Sequence, residues 1–208
     1  IGPSGCGKSA LAVLMSQLVQ PESGQIYYDH QPSTNFPLRY LRQALGYVEQ
    51  DGGLFSGSFQ HNMAMGRNVT DHAQISNAAK VADIDEFILS CKDGYATDAG
   101  SMGSALSEGQ KQRLLIARAI YANPSTLILD ESTSHLDSIS EKRIVHRLLD
   151  QFQGKTVVFF TQRIHLAQKA DRIFYMENGR IEEIGSHSSL IANKQKYYNF
   201  YCTHLALG

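Results

Sequence analysis

Gly2-Pro3-Ser4-Gly5-Cys6-Gly7-Lys8-Ser9 has residue types and spacing that suit phosphate chemistry. Successive main-chain N–H groups in a glycine-rich turn form a concave cradle for phosphate oxygens. Gly2, Gly5 and Gly7 remove side chains that would block close approach or forbid a left-handed backbone. Lys8 has the reach for the β- and γ-phosphates of a nucleoside triphosphate, and the Ser9 hydroxyl suits Mg²⁺. Cys6 within the loop reads as a small space-filler that could make the site sensitive to thiol reagents.

Two further stretches carry chemistry. Thr126-Leu127-Ile128-Leu129 is an apolar run that ends in Asp130 and Glu131. Ligands of open α/β sheets bind at the carboxyl ends of strands, so Asp130 is placed to meet Mg²⁺ and Glu131 to polarise a water. Leu106-Ser107-Glu108-Gly109-Gln110 reads as a helix start, with Ser107 as the N-cap and Gln110 completing a capping box. Taken singly, Gln50 is a polar strand end and Asp137 a helix N-cap.

The elements around these residues follow from periodicity. Leu11, Leu14, Met15, Leu18 and Val19 predict a helix after the glycine loop, ended by Gln20-Pro21, with its positive end toward the anion. Gln25–Tyr28 reads as a strand, 29–35 as a loop, 37–44 as a helix and Leu45–Val48 as a strand. Residues 51–105 are rich in Gly, Ser, Asn and Asp, with helical stretches near 58–64, 71–82 and 84–91. Helices at 108–122 and 138–152 alternate with buried strands at 126–129, 156–160 and 173–176. Asn178-Gly179 predicts a hairpin into 180–184, and 187–201 reads as a final helix. This alternation implies an α/β fold with a mostly parallel sheet and an inserted helical subdomain.

The 208 residues suit one domain with a subdomain. A formal net charge of −1 argues against a nucleic-acid-binding surface. Cys6, Cys91 and Cys202 lack metal-ligand spacing, and their odd number argues against a disulfide framework. No apolar run approaches the ~20 residues of a membrane span.

The ordered set of glycine loop, Gln50, L-S-x-G-Q, acid-ended strand and Ser134-His135-Leu136-Asp137 resembles the nucleotide-binding domain of ABC transporters over essentially the whole chain. The resemblance implies a P-loop core at 1–50 and 119–208 and a helical signature subdomain at 51–118. It implies ATP and Mg²⁺ as ligands, with Ser9, Gln50 and Asp130 toward the metal, Glu131 as the catalytic base and Asp137 as the aspartate that couples two sites. Leu106–Gln110 then completes the ATP site of a second, partner domain in a head-to-tail dimer. The expected setting is the cytoplasmic face of a membrane, with a transmembrane domain in the same full-length polypeptide. The family also places a strand, a β-subdomain and an adenine-stacking aromatic before the loop, so a longer polypeptide is expected. Gly100–Ser107, Gln110–Ala119 and Asp130–Asp137 look like exporters of bacteriocins and type I secreted proteins, some of which carry an N-terminal peptidase.

Two positions depart from the family pattern. Glu108 stands where the signature usually has glycine, and is tolerable if it points away or pairs with Lys or Arg. After the strand at 156–160 the family has a histidine, whereas this chain has Thr161-Gln162-Arg163. Gln162 donates an amide hydrogen bond but cannot change protonation, so slower turnover with intact nucleotide binding is expected. His165 reads as a surface residue. Two other readings stay open: a regulatory half of a heterodimeric transporter with little hydrolysis, and a non-membrane ABC ATPase.

Overall fold

The computed structural model describes residues 1–65 and 71–205. They fall into two compact units, one of residues 1–33 and 159–208 and one of 34–158.

In the first unit, α1 (Lys8–Met15) follows the glycine loop directly. It is shorter than the apolar spacing predicts, and Leu18 and Val19 are about half exposed. Gln17 takes a left-handed backbone (φ 56°) that breaks the helix. The Tyr28 hydroxyl donates to the freed Met15 carbonyl at 2.6 Å. Tyr28 belongs to β1 (Tyr27–Tyr28), which pairs antiparallel with β2 (Gln31–Pro32) where a plain loop was expected. Asp29 and His30 make the tight turn with positive φ.

The second unit begins with α2 (Leu38–Ala44) and β3 (Leu45–Val48). It continues through α3 (Phe59–Ala64), α4 (His72–Val81), α5 (Asp85–Ser90) and α6 (Glu108–Tyr121). β4 (Thr126–Asp130) and α7 (Ser138–Gln151) follow. β3 and β4 pair in parallel, with Leu45 opposite Thr126 and Val48 opposite Leu129. β5 (Thr156–Phe160), within which the chain passes between the units, completes the sheet in the order β3-β4-β5. α3 and α4 pack on α6, and Leu114, Ile116, Leu127 and Ile128 are fully buried. α7 buries Ile144, Val145 and Leu148 at the predicted helical spacing, with Phe152 buried just beyond its end. Two caps start helices here: Ser58 accepts from His61 N, and Asp71 from Ala73 N and Gln74 N.

The chain re-enters the first unit through α8 (Ile164–Ala167), a single turn that the periodicity does not reveal. His165 lies on it and is half-buried rather than at the surface. β6 (Ile173–Glu177) and β7 (Arg180–Gly185) form the expected hairpin, with Asn178 and Gly179 both at positive φ. The predicted final helix is two helices, α9 (His187–Asn193) and α10 (Lys196–Leu205). Lys194 takes a left-handed C-cap conformation (φ 53°), and the buried Glu183 carboxylate accepts the Tyr197 N–H at 2.7 Å, which restarts the helix. Tyr197, Tyr175, Leu190 and Ile173 form the core of this unit, with Ile1 packed against it.

Candidate functional site

The glycine loop is held from one side by the β6–β7 hairpin. Ile1 N donates to Phe174 O and Ile1 O accepts from Met176 N, each at 2.8 Å, so the entry to the loop lies along β6. Gly179 N at the hairpin tip donates to Cys6 O at 3.0 Å. This packing dictates Gly2: a Cβ there would stand 2.0 Å from the Met176 carbonyl oxygen, which is fixed in the strand. Gly2→Ala is expected to cost about 3 kcal/mol of stability, read as a lowered thermal midpoint. A midpoint equal to wild type would show that the loop entry can yield.

Gly5 and Gly7 take positive φ of 75° and 101°, and the space where a Gly5 side chain would begin is open. Lys8 is buried, and its ammonium donates to Gly2 O and Pro3 O, both at 2.9 Å. Gly7 is the N-cap of α1, no side chain caps it, and the first turn holds no acid. A cation folded over the loop, open space at Gly5 and a helix N-terminus without a side-chain cap together fit a polyphosphate. Ser9, exposed on the first turn, offers a hydroxyl to a phosphate-bound Mg²⁺. Cys6 is buried 3.9 Å from Lys8 Nζ, as its space-filling reading requires. Gln162, in the same unit, follows β5 and is half-buried.

The other candidate residues belong to the second unit. Asp130 ends β4 and is 2% exposed. Tyr47 of the neighbouring β3 donates to its Oδ2 at 3.4 Å. Burial, then the Asp130 and Glu49 carboxylates, push the Tyr47 phenol up to about 12, so it stays a donor. Glu131 turns the chain out of the strand with a left-handed backbone (φ 44°), closed by Ser134 N donating to Glu131 O at 3.0 Å. Gln50 is exposed just past β3. The loop beyond it is tied to α6 by Arg118, which donates to Gly53 O at 3.2 Å and to Asn62 O at 3.0 Å.

Ser107 caps α6 as the sequence implies. Its Oγ accepts from Gln110 N at 3.3 Å, and Gln110 Oε1 accepts from Ser107 N at 2.9 Å. Leu106 is buried just before the cap. Glu108 is exposed and bound to Lys111 at 2.8 Å, which lowers its pKa. The carboxylate is thus neutralised by a lysine one turn along its own helix. Gly109 follows, close to the 134–137 loop: a Cβ there would lie 3.2 Å from His135 O.

Asp137 is the N-cap of α7, accepting from Ile139 N at 3.1 Å and Ser140 N at 2.9 Å. Hydrogen bonds from Ser140 and Ile139 and the Arg113 guanidinium, 3.4 Å away, hold its pKa down to about 2. A depressed carboxylate contributes its stabilisation above the ordinary pKa of 3.8 and loses it as pH falls toward 2, so this cap is intact at neutral pH. The single-residue readings missed Gln112 and Arg113, the α6 residues that hold this loop. Their signal was polar side chains at inward-facing helical positions.

A glycine loop before a helix, joined in one chain to an apolar parallel strand ending in acids, defines a P-loop nucleotide-binding protein. Residues 1–134 match the family model described as ABC transporter, and the chain belongs to that family. It is 42% identical over 92% of its length to "ABC transporter B family member 1" of Arabidopsis thaliana. It is 41% identical over 97% of its length to the "ATP-dependent lipid A-core flippase" of Saccharophagus degradans. Among solved structures it is similar to a bacterial Atm1-family ABC exporter with ATP bound, at 35% identity and a TM-score of 0.93 over 98% of the chain. The chain spans 15% and 34% of the length of the two relatives, and 36% of that structure's chain. Among the described residues, no helix is long and apolar enough to cross a membrane.

Proposed function

We propose that the chain is the ATP-hydrolysing motor of a membrane exporter, acting as one of two such domains that close head to tail on ATP. The observation that carries this reading is that one chain holds both a phosphate cradle at Gly5–Ser9 and a capped, glycine-containing helix start at Ser107–Gly109. In this reading the main chain of Gly2–Gly7 and the Lys8 ammonium bind the phosphates. Ser9, Gln50 and Asp130 would hold Mg²⁺, which would supply charge neutralisation at the phosphates. Glu131 orients and polarises the attacking water, and Gln162 donates a hydrogen bond to the γ-phosphate. Ser107 and Gly109 serve the partner's nucleotide, and Asp137 couples the two sites. Residues 1–50 and 119–208 act as the core, and 51–118 as the helical subdomain that carries the signature. The partners are a second such domain and a transmembrane domain in the same full-length polypeptide, at the cytoplasmic face of the membrane.

Cargo is chosen outside this chain. A peptide or protein cargo rests only on the resemblance drawn from Gly100–Ser107, Gln110–Ala119 and Asp130–Asp137. The name of the Saccharophagus degradans relative supports a lipid instead.

Gln162 favours a second reading, a regulatory half that binds ATP and hardly hydrolyses it. Glu108 no longer adds weight to it, because Lys111 neutralises the carboxylate. ATPase assays on the full-length protein separate the two. The motor reading expects Mg²⁺-dependent phosphate release, and a kcat about tenfold higher in Gln162→His, where a titratable donor is restored. ATP binding without phosphate release would favour the regulatory half, and an unchanged kcat in Gln162→His would remove the role given to position 162.

A further inference from the structure

We infer that Gln112 is a positioning residue that sets the Ser134–Asp137 loop against the Ser107–Gly109 turn. The inference rests on the motor reading for the roles of those two segments. Gln112 lies on the second turn of α6 and is 3% exposed. Its Oε1 accepts the main-chain N–H of His135 at 3.1 Å, a donor that cannot change role. That bond fixes the orientation of the amide and turns Nε2 toward the ring. Nε2 stands 2.9 Å from His135 Nδ1 and 3.2 Å from Ser134 Oγ. An amide nitrogen only donates, so Nδ1 accepts and the ring proton of neutral His135 lies on Nε2.

One buried side chain therefore fixes the main chain, the ring and the neighbouring hydroxyl of this loop. The next residue of the same helix holds the loop's far end: Arg113 Nη2 lies 2.9 Å from Ser140 Oγ and 3.4 Å from Asp137 Oδ2. Asp83 backs that guanidinium and also pairs with Arg143 and Arg147. Gly109 lets the loop approach the first turn of α6 without a Cβ in the way. The phosphate-facing turn and the coupling loop thus hang from two consecutive turns of one helix. A shift of Ser107 carries Asp137 with it, and the Gln112 amide is the buried part of that link.

The test uses the full-length protein, with kcat, KM for ATP and thermal midpoint measured for wild type, Gln112→Met, Gln112→Glu and His135→Ala. Gln112→Met keeps the volume and removes the amide. Its kcat is expected to fall about tenfold, with KM within about twofold and the midpoint within about 3 °C of wild type. Gln112→Glu keeps an oxygen for the His135 N–H and meets a ring that then carries its proton on Nδ1. It is expected to recover at least about half of the wild-type kcat, which a role in packing alone would not require. His135→Ala is expected to lower kcat about threefold, and the two losses to combine less than additively. If Gln112→Met fails to fold, His135→Ala decides, because His135 is exposed. An unchanged kcat in the deciding variant, or a loss expressed only in KM, overturns the inference. A wild type without ATPase activity overturns the motor reading and this inference with it. An active wild type beside an indifferent Gln112→Met overturns the inference alone.

Discussion

Glu131→Gln is expected to lower kcat for ATP hydrolysis by about 10² to 10⁴-fold while ATP binding stays within a few-fold of wild type. The physical case begins in β4. Leu127, Ile128 and Leu129 are at most 2% exposed, so the strand that delivers the two acids is fixed on both faces. At Glu131 the backbone turns left-handed, a conformation that costs a residue with a side chain on the order of 1–3 kcal/mol. Ser134 N closes the turn on the Glu131 carbonyl, so the main chain sets the direction of the side chain. Glutamine has the same length and meets the same backbone cost, and therefore takes the same place. What it lacks is the carboxylate charge that, in the role proposed for Glu131, draws a proton from water. Single-turnover phosphate release beside equilibrium nucleotide binding separates the outcomes. If binding fell in step with hydrolysis, position 131 would be shaping the site and not acting as its base.

Lys8→Ala is expected to weaken ATP binding by about 10- to 100-fold, with a thermal midpoint within a few degrees of wild type. The ammonium is 6% exposed and donates to two carbonyls of its own loop. The ammonium is held over the carbonyl oxygens of the glycine loop, where it can meet an anion that the loop cradles, which is why the geometry fits a phosphate. Alanine removes the cation but suits the first turn of α1, being the strongest helix former. Titration calorimetry of the full-length protein measures the binding loss, and a thermal melt confirms that the fold is kept. An affinity equal to wild type would remove Lys8 from the phosphate site.

Much of this site was legible because its chemistry is local in sequence. The glycine loop, the Ser107–Gln110 capping box and the Asp137 cap are each set by residues within a few positions, and all three are present as read. The two strands are legible as apolar runs and the parallel sense in the strand–helix alternation, and β3 and β4 do run parallel. What escaped the sequence depends on distant partners. α1 stops at Met15 because Gln17 turns left-handed and Tyr28, from β1, takes the freed carbonyl. The last helix breaks because Glu183, on β7, offers a carboxylate at Tyr197. Gln112 looked like one polar residue in a polar stretch. Only the tertiary packing of the 134–137 loop shows why it is buried.

The central claim is that each ATP site is shared between two copies, a glycine loop from one and a Ser107 turn from the other. Mixing two variants, each impaired alone at an ATP concentration that the weakened Lys8→Ala site does not fill, tests it directly. Lys8→Ala disables the loop of its own copy, and Ser107→Arg disables the turn that its copy lends. ATPase activity is measured on full-length protein co-assembled from both variants in equal amounts. With random pairing into symmetric dimers, half of the assemblies carry both variants, and each of these has one intact shared site. The account predicts recovery to about a quarter of wild-type activity. Activity no higher than that of either variant alone would contradict it.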